Sequence, residues 1–250
     1  MKSVSQQGQF WDVARDQTQP ILEACRLIES LIPPDSIADR DVLDVGCGAG
    51  HYGVAFSQAG ARTVTGFDVS AGSLQVAHNR NKAGRFSQAS LSELPFRDST
   101  FDILWAWGML HYVPDGRAGL REIARVLRPG GVAVIHTLRT SFWASVELSS
   151  ARVLSHTPGW MQPLVLDTGE RLVPFVARLV TGRRPEDQTS KTVRQKLHER
   201  LFAPGMPTTY TLADLVKGLG ASIETTEGYP PVSDLLKRDM SITVIARKGR

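Results

Sequence analysis

Residues 40–50 read Arg-Asp-Val-Leu-Asp-Val-Gly-Cys-Gly-Ala-Gly, and the rest of the chain is placed around them. Val42, Leu43 and Val45 form the short β-branched, apolar run of a buried parallel strand. Gly46, Gly48 and Gly50 stop that run at once, and 50–59 then reads as a helix. A strand that ends in a glycine turn and passes into a helix cradles ligands, because main-chain N–H groups can be approached without a Cβ in the way.

Gly48 to Gly53 also fits the G-x-G-x-x-G dinucleotide fingerprint, which is weak evidence alone. Asp44 decides between ligands. A carboxylate two residues before the first glycine repels a pyrophosphate and attracts an ammonium or sulfonium. With these residues the stretch Leu43-Asp-Val-Gly-Cys-Gly-Ala-Gly50 resembles the first motif of the class I S-adenosylmethionine-dependent methyltransferases, in the broad small-molecule, type 11-like branch. Asp44, Gly46, Cys47, Gly48 and Gly50 are the expected cofactor contacts there.

Thr63–Phe67 reads as a second strand with Asp68 at its end, followed by Val69 and by Ser70 as the cap of the next helix. Asp68 lies 18 residues past Gly50, where an acidic residue accepts both hydroxyls of a ribose. A third strand, 85–89, leads to Ser90-Leu-Ser-Glu-Leu-Pro-Phe96 and then to a fourth at 101–106. The resemblance continues through Leu-Pro-Phe and Phe-Asp. The family usually has an aspartate where Ser90 stands, so a weaker neutral hydrogen bond or the backbone of Leu91 is left to meet the adenine.

Trp107-Gly-Met-Leu-His-Tyr112 follows the fourth strand, at the carboxyl ends where open α/β sheets bind ligands. Trp107 is expected beside the cofactor. His111 and Tyr112 are the candidate proton-handling side chains, with a loop-orienting role open for His111. A helix at 116–128, a turn at Pro129-Gly-Gly131 and a fifth strand at 132–137 come next. A last helix is expected from Thr211, with Asp214 completing a capping box, and ends at Gly220. Two strands, 221–227 and 241–246, alternate as antiparallel edge strands do.

The implied architecture is α/β, a Rossmann-like doubly wound seven-stranded sheet with its last strand antiparallel. Residues 40–138 and 211–250 form the cofactor-binding domain, and 1–39 a helical leader with an amphipathic pattern from Thr18 to Ile32 ended by Pro33-Pro34. Phe10 and Trp11 are the leader's large apolar groups, and Trp11 either touches the cofactor or plugs the surface. Residues 139–210 break the alternation of strand and helix. Helical patterns at 142–154, 170–180 and 191–202 make that stretch an inserted cap over the active site. Arg139, Trp143 and Tyr210 are the candidate substrate contacts; Trp143, Trp160, Phe175 and Tyr210 form a substrate cage or the cap's own core.

The chain holds 29 Lys and Arg against 25 Asp and Glu, a net charge of +4. Between Arg139 and Tyr210 there are ten basic and six acidic residues, so the whole excess of four sits in the insertion. That fits an anionic substrate or a solvated helical face. No aromatic-interleaved basic run argues nucleic acid, no apolar run approaches the roughly 18 residues of a membrane helix, and no secretory pattern precedes Phe10. Cys25 and Cys47 have no companion ligands nearby, which argues against a metal or disulfide framework. The expectation is a cytoplasmic monomer or homodimer that transfers a methyl group from S-adenosylmethionine to a small organic, plausibly anionic, metabolite. The alternatives are an enzyme of the same fold that turns the sulfonium to intramolecular alkylation with release of methylthioadenosine, or a binder without chemistry.

Overall fold

The computed structural model describes residues 21–140, 208–220, 223–228 and 241–249. The chain divides into two compact units, residues 1–144 with 208–250, and residues 145–207. Arg139 and Tyr210 both belong to the first. Phe10, Trp11, Trp143 and the three expected cap helices lie outside the described residues.

The first unit begins with helix α1 (Ile21–Leu31), whose apolar stripe buries Ala24 and Ile28. Pro33 and Pro34 stop it, as Pro must where the helix would need further N–H donors, and a single 3-10 turn follows at Pro34–Ser36. Strand β1 (Asp41–Val45), helix α2 (His51–Gln58), β2 (Thr63–Asp68), α3 (Ala71–Arg80) and β3 (Arg85–Gln88) form two successive right-wound units. Then come β4 (Phe101–Trp107), α4 (Gly116–Val126), β5 (Leu127–Leu138), α5 (Leu212–Leu219), β6 (Ile223–Gly228) and β7 (Ser241–Lys248). Ser70 caps α3 by accepting from the Ser73 N–H at 3.0 Å, and Thr211 with Asp214 makes the expected capping box on α5.

The sheet order is β3-β2-β1-β4-β5-β7-β6. β1 to β5 are mutually parallel, and β7 is antiparallel to both of its neighbours. Of the last two strands only β6 is therefore an edge, whereas β7, read from its alternation as an edge strand, lies inside the sheet with Ile242, Val244 and Ala246 buried. The expected turn at Pro129-Gly-Gly131 also takes another form: it bulges out within a single long β5, because Phe101 pairs Leu127 while Ile103 pairs Val132.

Alternation along the strands builds a core on each face. Leu43, Val45, Leu104 and Ile135 meet Leu120, Ile123 and Leu215 from α4 and α5 on one side. Val42, Ile103, Trp105 and Val134 meet Ala24, Ile28 and Phe56 from α1 and α2 on the other. The amino edge is stitched by charge. Arg128 at the start of β5 donates to Asp41 of β1 at 2.9 Å and to Asp102 of β4 at 2.7 Å, and Arg62 also donates to Asp41.

Candidate functional site

At the carboxyl ends of β1 and β2 the chain turns through Gly46, Gly48 and Gly50, all at positive φ (68°, 50° and 79°). A Cβ on Gly46 would meet the Met109 side chain at 2.8 Å, and one on Gly50 would meet Ala77 of α3 at 2.8 Å. A Cβ on Gly48 would meet nothing within 4 Å. The outer two glycines thus let the turn pack, while Gly48 faces open space. Gly108, at the end of β4, shares the left-handed backbone (φ 74°) and the open surroundings. The sequence reading passed over it because its spacing belongs to no motif.

Asp68 holds this turn. One carboxylate oxygen accepts from the Gly48 N–H at 2.9 Å and the other from the Ser70 N–H at 2.9 Å. A carboxylate offers about four lone-pair sites, so both oxygens keep capacity for the hydroxyls of a ribose. Cys47 donates its N–H to the Phe67 carbonyl at 2.9 Å and packs its thiol beneath the turn, where burial pushes its pKa up. Its role is structural, as a thiol that stays protonated. Arg80, from the end of α3, donates to the Ala49 carbonyl at 3.2 Å and bonds the His51 ring. Burial and that guanidinium lower the pKa of His51. This brace is non-local, and the sequence carried no signal for it.

Asp44 is 1% exposed. It accepts from the Gly53 N–H at the start of α2, while its Oδ2 is buried with no hydrogen-bond partner among the described residues. Desolvation and the neighbouring Asp68 raise its pKa to about 7. Because the side chain is covered, its action on a ligand is through its field. An arriving positive charge would favour the ionised form, and an unpaired buried carboxylate oxygen is the environment in which such a charge gains most. The turn, the open Gly48 and this carboxylate fit a ligand with a cationic centre and a ribose.

Ser90 is half-buried; its Oγ accepts weakly from the Ser92 N–H at 3.4 Å. Leu91 is 2% exposed with its side chain packed against Gly119, so only its main chain is available to a ligand. The Val69 carbonyl accepts from Gln88 at 2.8 Å. Trp107 is stacked against His136 at 4.1 Å and against Trp105 at 5.1 Å, each at 10°. His136, missed by the sequence reading, is held neutral by burial with its pKa near 4, and its Nδ1 lies 2.9 Å from Thr243 Oγ1.

His111 and Tyr112 sit in a 3-10 turn, Leu110–Tyr112, with their rings 4.2 Å apart. His111 is 7% exposed, and its Nδ1 is 3.3 Å from Thr137 Oγ1. Its carbonyl accepts from the Thr208 N–H at 2.8 Å, tying this turn to the segment that returns to the domain. Arg139 follows β5 directly and pairs by backbone with Tyr210. Tyr210 itself is placed otherwise than expected. It is 5% exposed within the α4–α5 core, its hydroxyl is 3.5 Å from the Leu110 carbonyl, and burial pushes its pKa up to about 12. A ring enclosed in this way is part of the domain core and not the wall of a substrate cage.

Residues 43–135 match the family described as methyltransferase domain. Over these residues the chain is similar to methyltransferase domains. The chain is 37% identical over 155 residues to the methyltransferase GfsG of Streptomyces halstedii, covering 55% of this chain and 56% of that protein. It is 33% identical over 168 residues to the 27-O-demethylrifamycin SV methyltransferase of Amycolatopsis mediterranei, covering 63% and 60%. The chain thus spans less than two thirds of the length of these curated relatives. In fold the chain is similar to an S-adenosylmethionine dependent methyltransferase from Mesorhizobium loti, with TM-score 0.56, 21% identity, and 85% and 93% of the two chains covered.

Among the described residues no cluster of His, Cys, Asp or Glu is suited to a metal ion, and no helix is long and apolar enough to cross a membrane.

Proposed function

We propose that this protein is a methyltransferase that alkylates a small organic acceptor bearing an anionic group, in the cytoplasm, as a monomer or homodimer. The observation that carries the reading is the buried, partnerless oxygen of Asp44 behind the open Gly48 turn, a negative field placed where a sulfonium cofactor would lie. When bound, S-adenosylmethionine supplies an already activated methyl group. The protein's part is alignment and exclusion of water.

Asp68 would hold the ribose with its remaining lone pairs, and Ser90 Oγ with the Leu91 main chain would meet the adenine. Gly46, Cys47, Gly48, Gly50, Val69 and Trp107 would shape the channel. His111 and Tyr112 lie at the end of β4 and would take the acceptor's proton or orient the loop that does. Arg139 at the carboxyl end of β5 would pair the acceptor's anionic group, and Trp143, outside the described residues, would be a further acceptor contact. The 27-O-demethylrifamycin SV relative supports a small organic acceptor.

The test incubates purified protein with S-adenosylmethionine and a metabolite extract and identifies the nucleoside product by mass spectrometry. S-Adenosylhomocysteine together with a methylated metabolite is expected. Methylthioadenosine would replace the reading with intramolecular alkylation of the cofactor, and neither nucleoside would leave a binder.

A further inference from the structure

The crossovers from β1 to β2, from β2 to β3 and from β4 to β5 each carry a helix, but residues 89–100, between β3 and β4, carry none. Among the described residues, that leaves part of one sheet face uncovered at the amino ends of the strands. The register Asp41↔Thr63, Thr65↔Arg85 and Phe67↔Ser87 sets these side chains on a single face, because ladder partners share a face. A groove of about 350 Å³ lies over them, with Thr65, Arg85, Ser87, Phe96, Phe101 and Arg128 in its lining. This volume is at the small end of the roughly 300–1,000 Å³ of ligand pockets.

Its chemistry is uneven in a way that selects a ligand. Arg128 and Arg62 are already neutralised by Asp41 and Asp102. Among the described residues no carboxylate pairs Arg85, which is exposed. Ser87 Oγ is buried and has no hydrogen-bond partner among the described residues. Phe96 and Phe101 stand edge to face with centroids 5.1 Å apart, an apolar wall beside the cation.

We propose that this groove is a second ligand site for a small monocarboxylate with a flat apolar body, its carboxylate on the Arg85 guanidinium and the Ser87 hydroxyl and its ring against Phe96 and Phe101. A forked guanidinium matches a carboxylate, and the buried hydroxyl gains the partner it lacks. The site is distinct from the cofactor cradle. From Asp41 at the groove to Gly46 at the turn is five steps of β1, roughly 16 Å at about 3.3 Å per residue.

The experiment titrates the full chain calorimetrically with 3-phenylpropanoate, and in parallel with inorganic phosphate and with 3-phenylpropanamide. Saturable binding of one 3-phenylpropanoate per chain is expected, with the other two probes at least about tenfold weaker. Arg85→Gln should weaken 3-phenylpropanoate binding by about tenfold or more, and Ser87→Val by several-fold. S-Adenosylmethionine affinity should stay within about twofold in both variants, which shows that the fold is intact. Non-saturable binding, equal affinity for phosphate or the amide, or indifference to Arg85→Gln overturns the proposal.

Discussion

Asp41 and Asp44 stand three residues apart on one strand and meet opposite fates. Asp41, at the amino end of β1, accepts from Arg62, Thr63 and Arg128, and the Arg62 guanidinium above all holds its carboxyl well below the usual range. Asp44, at the carboxyl end, is buried with one oxygen unpartnered, and its pKa is pushed up to about 7. One end of the sheet is satisfied and closed; the other keeps positive-φ glycines, an open turn and an uncompensated carboxylate. The difference locates function without a ligand in view, because strain and unmet polarity persist where a partner is meant to supply what is missing.

The strongest way to break this contrast is Asp44→Asn. The folded protein keeps a proton on Asp44 that the unfolded chain releases above its ordinary value of 3.8, so wild-type stability falls as pH rises from about 4 to about 7. The stability at stake is at most about 4 kcal/mol. Asp44→Asn should therefore match wild type near pH 4 in urea unfolding, become the more stable protein by pH 8, and lose cofactor affinity. Wild-type affinity for S-adenosylmethionine should rise with pH through about 7. Parallel stability curves for the two proteins would show that Asp44 carries no burial penalty.

Asp68→Ala removes the clamp on the turn as well as the expected ribose contact. Cofactor binding should weaken by about 1.5–3 kcal/mol, or roughly 10- to 150-fold, with the domain still folded. Unchanged affinity by calorimetry would take Asp68 out of the site. Asp41→Asn tests the satisfied end, with the opposite sign. A depressed pKa contributes stability that is present above the unfolded value and lost as pH falls below it. The variant should lose about 1–2 kcal/mol at pH 7, discounted because Arg62 is half exposed, and progressively less as pH falls below about 4, while cofactor affinity is untouched. A loss of cofactor affinity instead would mean that the two ends are coupled.

Arg128 and Arg139 repeat the contrast along β5, the first bound into the Asp41 and Asp102 network, the second at the ligand end. Once an acceptor is in hand, Arg139→Gln should raise its KM about tenfold, about 1.4 kcal/mol, and leave S-adenosylmethionine affinity alone. If both constants stay within about twofold of wild type, Arg139 takes no part in recognition.

Much of this was legible in the sequence where the physics is local. The strand-turn-helix of residues 41–58, Asp68 at the next strand's tip, the Ser70 cap and the Thr211–Asp214 box depend on neighbours a few positions away, and periodicity with cap chemistry suffices to place them. Only the tertiary structure decided what depends on distant chain. The antiparallel β7 enters between β5 and β6, Trp107 stacks with Trp105 and His136, Tyr210 lies in the core, and Asp44 is buried beside Asp68. A sequence names a carboxylate and an indole but not their surroundings, and burial, stacking and proton affinity are properties of surroundings that long-range packing alone supplies.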